Sequence, residues 1–262
     1  MGKGMPRLAV LIDAENAQLA ILGALLAEIA KIGTASVRRV YGDFTSPALA
    51  SWREELLAHS IQPIQQFRNT VGKNATDSAL IIDAMDILHS KRCDGFCIVS
   101  SDSDFTRLAS RIREEGLLAY GFGEQKTPKS FVAACDRFTY TEVLRVPENG
   151  NSTALPVPGQ GEALQVNGEL VRYLKDAVES CADETGWASL STVGSVITNH
   201  RPDFDPRRHG FRNLSALVES LKCFEVRRQG NEGTSPLQVR LRTTAAKKAS
   251  AKKSSQAVQS GA

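Results

Sequence analysis

Hydrophobic residues in the first half of the chain follow two alternating patterns. Leu8 to Ile12 is a continuous apolar run that ends at Asp13, which is typical of a strand buried on both faces. Ala17 to Lys31 places its leucines and isoleucines three and four residues apart and is followed by Gly33, which predicts a helix. A second strand is predicted at Ser36 to Tyr41. The chain therefore begins as strand, helix, strand.

The same alternation continues as far as Phe122. Helices are predicted at about Ala48 to His59, Asp77 to His89 and Phe105 to Glu115, and strands at Ile61 to Phe67, Gly95 to Ser100 and Leu117 to Phe122. Alternating elements of this length indicate an α/β fold, a parallel sheet with helices on both faces. Ligands of such sheets bind at the carboxyl ends of the strands.

The second half of the chain has a different organisation. Residues 147–164 are rich in Pro, Gly, Asn and Ser, which indicates a linker after a first domain of residues 1–146. Residues 165–243 are expected to form a small winged-helix-like α+β domain. Its predicted elements are helices at Val166 to Cys181, about Ser191 to His200 and about Arg212 to Leu221, then a hairpin of Phe224 to Arg228 and Leu237 to Arg242. Residues 244–262 are expected to be a disordered tail.

Composition narrows the class of protein. With 42% hydrophobic and 23% charged residues, most of the chain should fold as ordinary globular domains. The longest uncharged apolar run, Leu19 to Ala27, is far shorter than the ~18 residues of a membrane-spanning helix, so no membrane association is expected. Five scattered cysteines without a CxxC pair indicate reduced thiols, and we expect a cytoplasmic protein.

Positive charge is concentrated at the C-terminus. The last 32 residues carry six basic residues and one acidic residue, with Lys247 and Lys248 among the basic ones. Such a tail indicates RNA or another acidic partner. Arg68 and Lys73, in the polar segment before Asp77, are further candidates for phosphate contacts, although a solvated loop explains them equally well.

Four aspartates are expected at the carboxyl ends of the predicted strands. Asp13 ends the first strand, Asp102 and Asp104 follow the Gly95 to Ser100 strand, and Asp77 opens a helix after a strand. If the first and fourth strands are neighbours, these carboxylates converge, and two of them 4 Å apart would repel by about 4 kcal/mol. Mg²⁺ or Mn²⁺ would relieve that repulsion and could activate a water against a phosphodiester.

Helix capping is the alternative role of these acids. Ser101 and Asp104 are spaced like a capping box, and Asp77 could cap its own helix. Asn16 could orient a water or a phosphate, or cap the helix that begins near Ala17. Capping is the commoner role for any one aspartate, but four of them at one end of one sheet favour a metal site.

Three segments resemble the NYN domain of the PIN-like nuclease superfamily. They are Leu11-Ile12-Asp13-Ala14-Glu15-Asn16, Lys73-Asn74-Ala75-Thr76-Asp77 and Ser100-Ser101-Asp102-Ser103-Asp104-Phe105. The resemblance implies a Rossmann-like three-layer sheet of order 3-2-1-4-5 and a Mg²⁺ or Mn²⁺ ribonuclease centre. By matching positions, the metal-binding acids would be Asp13, Asp77, Asp102 and Asp104, with Asn16 beside them. Ser101 stands where that family often has Gly.

The second half resembles the OST-HTH, or LOTUS, domain. The matching segments are Trp187-Ala188-Ser189-Leu190, then Arg207-Arg208-His209-Gly210-Phe211-Arg212-Asn213-Leu214, then Cys223-Phe224-Glu225-Val226. The resemblance implies RNA binding and possible protein partners. Arg207, Arg208 and Arg212 precede the third predicted helix, whose N-terminal amides would favour phosphate, or they form an ordinary basic turn.

Together these features predict a metal-dependent ribonuclease with a C-terminal RNA-binding module. A non-catalytic RNA-binding adaptor and a protein-interaction scaffold are the alternatives. The adaptor is less favoured because it would have no need of all four aspartates.

Overall fold

The computed structural model describes residues 4–67, 75–145, 166–228 and 236–242. The chain separates into two compact units. Residues 1–164 and 198–210 make up the first unit, and residues 165–197 and 211–262 make up the second. In the part of the chain described, no helix has both the length and the apolar character needed to cross a bilayer.

A six-stranded parallel sheet forms the centre of the first unit. Its strands are β1 (Arg7–Asp13), β2 (Thr34–Gly42), β3 (Gln62–Gln65), β4 (Gly95–Val99), β5 (Leu118–Gly123) and β6 (Arg137–Tyr140). They are arranged in the order β3-β2-β1-β4-β5-β6, and every neighbouring pair is parallel. The predicted α/β class and the order 3-2-1-4-5 are confirmed, and a sixth strand extends the sheet.

Five α-helices connect the strands. They are α1 (Leu22–Ala30), α2 (Trp52–Ala58), α3 (Ala75–His89), α4 (Thr106–Glu114) and α5 (Lys129–Ala134). The first helix begins five residues later than predicted, after a 3-10 turn at Leu19–Ile21. The reason is local: the backbone N–H groups of Asn16 and Ala17 donate to the backbone carbonyl of Asp13 in a tight loop, which delays the helix.

Helix α5 and strand β6 were not predicted. Both are short, six and four residues, so neither shows a clear periodicity in the sequence. Phe138 of β6 packs so closely on β5 that a Cβ at Gly121 would lie 2.4 Å from its ring. Glycine at that position is therefore what allows β6 to join the sheet.

The side chains of the sheet bury a separate apolar core on each face. Leu8, Val10 and Ile12 of β1 point to one core, and Ala9 and Leu11 point to the other, so the unit has three layers. The second core contains a run of aromatic rings whose successive centroids are 5.1 to 6.4 Å apart, formed by Phe105, Phe131, Phe138 and Tyr140. Phe105 directly follows Asp104, so this core anchors the segment that carries the last two candidate acids.

Residues 198–210 belong to the first unit through buried ion pairs. Arg207 donates to both oxygens of Glu28 at 3.2 and 3.0 Å, and its Nη2 lies 2.6 Å from Oδ2 of Asp205. The side chains of Glu28 and Asp205 are only 9% and 8% exposed. Burial opposes ionisation of Glu28, yet the hydrogen bonds from Lys31 and Arg207 lower its pKa. Arg207 therefore pairs with two buried carboxylates, and it helps to keep one of them, Glu28, ionised.

Removal of the Arg207 charge should destabilise the protein. Arg207→Gln leaves the charges of Glu28 and Asp205 buried with less compensation, and we expect a loss of about 1 to 3 kcal/mol in the free energy of unfolding. Urea unfolding at neutral pH measures this change. Arg107→Gln is the matched control, because Arg107 is 83% exposed and its ion pair with Glu114 is long. Equal stability of the two variants would contradict the structural role of Arg207.

The second unit combines helices with a small antiparallel sheet. Its elements are α6 (Gly168–Cys181), β7 (Ala188–Ser189), α7 (Leu190–His200), α8 (Leu214–Ser220), β8 (Phe224–Arg228) and β9 (Leu237–Leu241). The sheet order is β7-β9-β8. The three predicted helices and the hairpin are present, and β7 was not predicted because two residues give no pattern.

Candidate metal centre

The carboxyl ends of β1 and β4 form the candidate site. These strands are parallel neighbours with Ile12 opposite Val99, so Asp13 and Ser100 emerge side by side at the same edge. The Ser100 hydroxyl donates a hydrogen bond of 2.8 Å to Oδ2 of Asp13. The predicted convergence of the aspartates required the first and fourth strands to be neighbours, and β1 and β4 are neighbours.

Three of the four predicted aspartates come together in space. Asp77, Asp102 and Asp104 each offer one carboxylate oxygen, and these oxygens all lie within 4.8 Å of one another. Asp77 lies in the first turn of α3, and Asp102 and Asp104 lie between β4 and α4. Oxygens on opposite sides of one Mg²⁺ are about 4.2 Å apart, since each bond is about 2.1 Å. Neighbouring ligand oxygens of the same ion are about 3.0 Å apart, so the three carboxylates would have to draw closer together to bind one hard divalent cation.

Asp13 lies outside this group of three and is held differently. It is 1% exposed, and its carboxylate accepts hydrogen bonds from the Asn16 amide at 2.7 Å and from the Glu15 N–H at 3.1 Å, besides the one from Ser100. Burial raises the pKa of Asp13 although these hydrogen bonds oppose the rise. Asn16, for which capping was the alternative, instead donates to Asp13. Asp13 is therefore a buried carboxylate held by the partly exposed Asn16, and it is not one of the three grouped carboxylates.

Burial and neighbouring acids together raise the pKa of Asp77. Burial raises its pKa to about 6, with further contributions from the charges of Asp13, Asp102, Asp104 and Glu15. The group is thus partly protonated near neutral pH when no cation is bound. A bound cation would reverse this effect, because it favours the ionised carboxylate.

The segment that carries Asp102 and Asp104 is fixed by its own hydrogen bonds. Asp102 is the N-cap of the 3-10 turn at Ser103–Phe105, where its Oδ1 accepts from the Asp104 N–H at 2.9 Å. The Asp102 N–H donates to Oγ of Ser100 at 3.1 Å. Ser101, the expected capping residue, instead accepts from the Glu124 N–H at 2.9 Å. Capping and participation in the acid cluster therefore coexist in Asp102.

Two residues at the site were not predicted. Glu15 accepts a 3.3 Å hydrogen bond from the Thr76 hydroxyl, which links the loop after β1 to the start of α3, and its charge acts on Asp77. Ser100 connects Asp13 to the Asp102 segment. The signal for Glu15 was its position two residues after Asp13. Nothing in the pattern distinguished Ser100 from any serine at a strand end.

Among the described residues, the arginines predicted to contact RNA differ in their surroundings. Arg207 is bound to Glu28 and Asp205, and Arg208 lies 4.1 Å from the Tyr140 ring centroid with Asp203 at 3.4 Å. Arg212 is exposed ahead of α8, whose N-terminus is already capped by the Asn213 side chain. Arg68, Lys73, Lys247 and Lys248 lie outside the described residues.

Affinity of the site for Mn²⁺ should depend on pH. Because the pKa of Asp77 is raised to about 6, the group is largely protonated below that pH, and the cation must displace the proton in order to bind. We expect Mn²⁺ affinity to fall by up to about tenfold per pH unit below 6 and to change little above 7. Calorimetric titration between pH 5 and 8 measures this. Asp77→Asn should abolish the dependence over this range, and an unchanged profile in that variant would contradict the assignment.

Two domain families match the chain. Residues 7–144 match the NYN domain family, and residues 164–236 match the OST-HTH/LOTUS domain family. The chain belongs to the NYN domain family, and it carries a C-terminal OST-HTH/LOTUS domain. A search of curated proteins found no match.

Three solved structures are similar to parts of the chain. A protein of unknown function from Vibrio parahaemolyticus is 16% identical, with a TM-score of 0.45, over 53% of this chain and 94% of that one. An uncharacterized protein from Nitrosomonas europaea is 26% identical, with a TM-score of 0.28, over 37% of this chain and 93% of that one. A Chromobacterium violaceum protein is 36% identical, with a TM-score of 0.25, over 29% of this chain and 83% of that one.

Proposed function

We propose that this protein is a metal-dependent ribonuclease that hydrolyses phosphodiester bonds in RNA. The observation that carries the proposal is the approach of the Asp77, Asp102 and Asp104 oxygens to within 4.8 Å of one another. Membership of the NYN family supports it, since that family belongs to a nuclease superfamily. Mg²⁺ or Mn²⁺ fits the site because all of its candidate ligands are hard carboxylate oxygens.

Each acidic residue has a distinct task in the proposed reaction. Asp77, Asp102 and Asp104 would hold the cation, and Asp104, the exposed one, faces the solvent from which RNA approaches. Asp13 is buried and adds negative charge behind them, while Asn16 and Ser100 hold its carboxylate in place. When bound, the divalent cation would lower the pKa of a water and neutralise charge on the scissile phosphate.

Binding of RNA is assigned to the basic residues and to the OST-HTH/LOTUS domain. We keep Arg212, together with Arg68, Lys73, Lys247 and Lys248, as proposed phosphate contacts. Arg207 and Arg208 already have acidic partners in the first unit, so RNA would have to compete with Glu28, Asp205 and Asp203 for them. We also propose that the OST-HTH/LOTUS domain binds protein partners in addition to RNA.

We also propose a cytoplasmic location. All five cysteines are free thiols, and Cys93, Cys97 and Cys135 are buried. Burial raises the pKa of Cys135 to about 12, which keeps its thiol protonated. Reduced thiols of this kind suit a reducing compartment.

A non-catalytic RNA-binding adaptor is the second candidate. The observation in its favour is that Asp102 has a structural task as a helix cap. Asp77 lies in the first turn of α3, where an acid also stabilises the helix, but that role does not require it to lie beside Asp102 and Asp104. The enzyme is therefore the better supported of the two.

Incubation of the full-length protein with labelled single-stranded RNA tests the proposal. We expect cleavage with Mn²⁺ or Mg²⁺, no cleavage with a chelator, and recovery when the metal is restored. Asp102→Asn, purified in the same way, should lose cleavage while it retains the helix cap, and it controls for a contaminating nuclease. Binding of RNA without cleavage under every metal condition would favour the adaptor.

A further inference from the structure

We propose that the outer face of the β7–β9–β8 sheet binds the backbone of single-stranded RNA through Arg227, Arg240 and Arg242. This face, called here the arginine face, also includes Trp187, Glu225 and Gln238. The inference deepens the proposed function and rests on it only for the choice of RNA as the ligand.

Strand register places the arginines on one side of the sheet. Arg240 of β9 is opposite Glu225 of β8, and Arg227 is opposite Gln238. The residues between them point the other way into the core, where Phe224 is 3% exposed and Val239 is 0% exposed. Side chains alternate along a strand, so the arginine face is the side turned away from that core.

Trp187 forms the base of the arginine face. The guanidinium carbon of Arg227 lies 3.9 Å from the Trp187 ring centroid, and that of Arg240 lies 4.5 Å from it. Trp187 is 5% exposed, so the two guanidinium groups stand between the indole and the solvent. Cation–π contacts of this kind restrict long side chains before a ligand arrives, which lowers the entropic cost of binding.

Hydrogen bonds further fix the two side chains. Arg227 donates from Nε to Oε1 of Gln238 at 3.0 Å, and Arg240 donates from Nη2 to Glu225 at 2.8 Å. A guanidinium has five N–H donors, and these contacts engage only some of them. The side chain of Arg240 is 40% exposed and Arg227 is exposed, so their remaining donors are accessible to a phosphate.

The charge of this part of the unit is predominantly basic. Arg242 directly follows β9, is exposed, and donates from Nε to the Phe224 carbonyl at 2.9 Å. Arg228 is exposed at the end of β8. The acids nearby are Glu225, paired with Arg240, and Asp183, whose pKa Arg227 helps to lower after hydrogen bonds from Thr185 and Trp187. Among the described residues, the three arginines of the arginine face outnumber the acids that interact with them, and this balance complements a polyanion.

The chemistry of these groups favours single-stranded RNA over an acidic protein. Guanidinium groups pair with phosphates, and their planar faces also stack on unpaired bases. An acidic peptide would use the charge alone and would gain nothing from guanidinium groups already positioned over an indole. Single-stranded RNA offers both phosphates and bases to the same face.

Salt-dependent binding of full-length protein to a fluorescent oligouridine tests this proposal. The measurement is made in chelator, so that it reports binding whether or not the protein cleaves RNA. For Arg227→Gln/Arg240→Gln we expect the slope of log affinity against log salt to become less negative by about 1.4, because two phosphate contacts are lost. Affinity near 0.1 M salt should fall about tenfold or more.

A control double variant removes two positive charges elsewhere in the same unit. Arg172→Gln/Lys175→Gln lies on α6 and should leave the slope as in the wild type. Arg227→Lys/Arg240→Lys retains both charges and should retain most of the slope, with weaker affinity because the flat stacking groups are gone. Circular dichroism checks that each variant is folded. If the double variant unfolds, the single variant Arg227→Gln replaces it, and its slope of log affinity against log salt should change by about 0.7.

Three results would overturn the assignment. The first is a wild-type slope in folded variants of the arginine face, and the second is an equal change of slope in the α6 double variant. The third is displacement of the oligouridine by polyglutamate at equal charge concentration, which would identify an acidic protein as the ligand. Failure of the ribonuclease proposal would appear separately, as wild-type protein that binds oligouridine but does not cleave it with Mn²⁺.

Discussion

Replacement of Asp77 by asparagine should lower metal-dependent cleavage of RNA at least a hundredfold, equivalent to about 2.7 kcal/mol in the activation free energy. Asparagine keeps the size of the side chain but removes one of three charged oxygens that lie within 4.8 Å of one another. Initial rates at saturating Mn²⁺ measure the effect. Asp86→Asn is the matched control because Asp86 is exposed on the same helix α3, outside that cluster, and its rate should stay at the wild-type value.

Stability of the same variant distinguishes loss of a ligand from loss of the fold. The pKa of Asp77 is raised in the folded protein to about 6, so ionisation at pH 7 opposes folding, and this opposition grows as the pH rises from about 4 to 6. Asp77→Asn should therefore be at least as stable as the wild type in chelator at pH 7. A less stable protein, or one that cleaves RNA at the wild-type rate, would exclude Asp77 from the proposed role.

Truncation of Phe105 to alanine should reduce the free energy of unfolding by about 3 to 5 kcal/mol. Phe105 is fully buried, and its ring centroid is 6.4 Å from that of Phe131. Because it follows Asp104 directly, the cavity would also loosen the turn that carries Asp102 and Asp104. We expect Mn²⁺ affinity to fall along with stability, as measured by denaturant unfolding and calorimetry at a temperature where the variant is folded.

Phe138→Ala provides the control for that experiment. Phe138 belongs to the same aromatic run and is 1% exposed, so its loss should cost a similar amount of stability. It lies on β6, three strands from β1 in the sheet order, and carries no candidate ligand next to it. If both variants lose Mn²⁺ affinity equally, the effect comes from general destabilisation and the specific link through Phe105 is wrong.

Much of the first unit could be predicted because its signals are local. A continuous apolar run such as Leu8 to Ile12 must form a buried strand. Parallel strands then bring their carboxyl ends to the same edge of the sheet. The approach of Asp77, Asp102 and Asp104 follows from those two facts. The sixth strand escaped prediction because Arg137–Tyr140 joins the sheet through close packing on Gly121, which no sequence period reveals.

Other features depend on contacts between distant residues. The ion pair of Arg207 with Glu28 joins positions 179 residues apart, so an arginine that is attractive as an RNA contact in the sequence has a buried partner in the structure. Burial of Asp13 likewise could be predicted, but its exclusion from the group of three carboxylates could not, because that depends on where Ser100 and Asn16 direct its side chain. Nothing in the sequence around Trp187 indicated that two arginines would lie over its ring.

The hydrogen bonds among Ser100, Asp102 and Asp104 have a consequence for how the site would be loaded. Because these bonds fix the turn at Ser103–Phe105 through protein contacts alone, the proposed site would not need a cation in order to form its turn. If the site binds a cation, the supply of metal in the surrounding solution would decide which ion occupies it, since carboxylates distinguish weakly between Mg²⁺ and Mn²⁺. If the protein is the nuclease proposed here, its working rate would follow the free divalent-metal concentration of the cell from minute to minute, with no need for new synthesis.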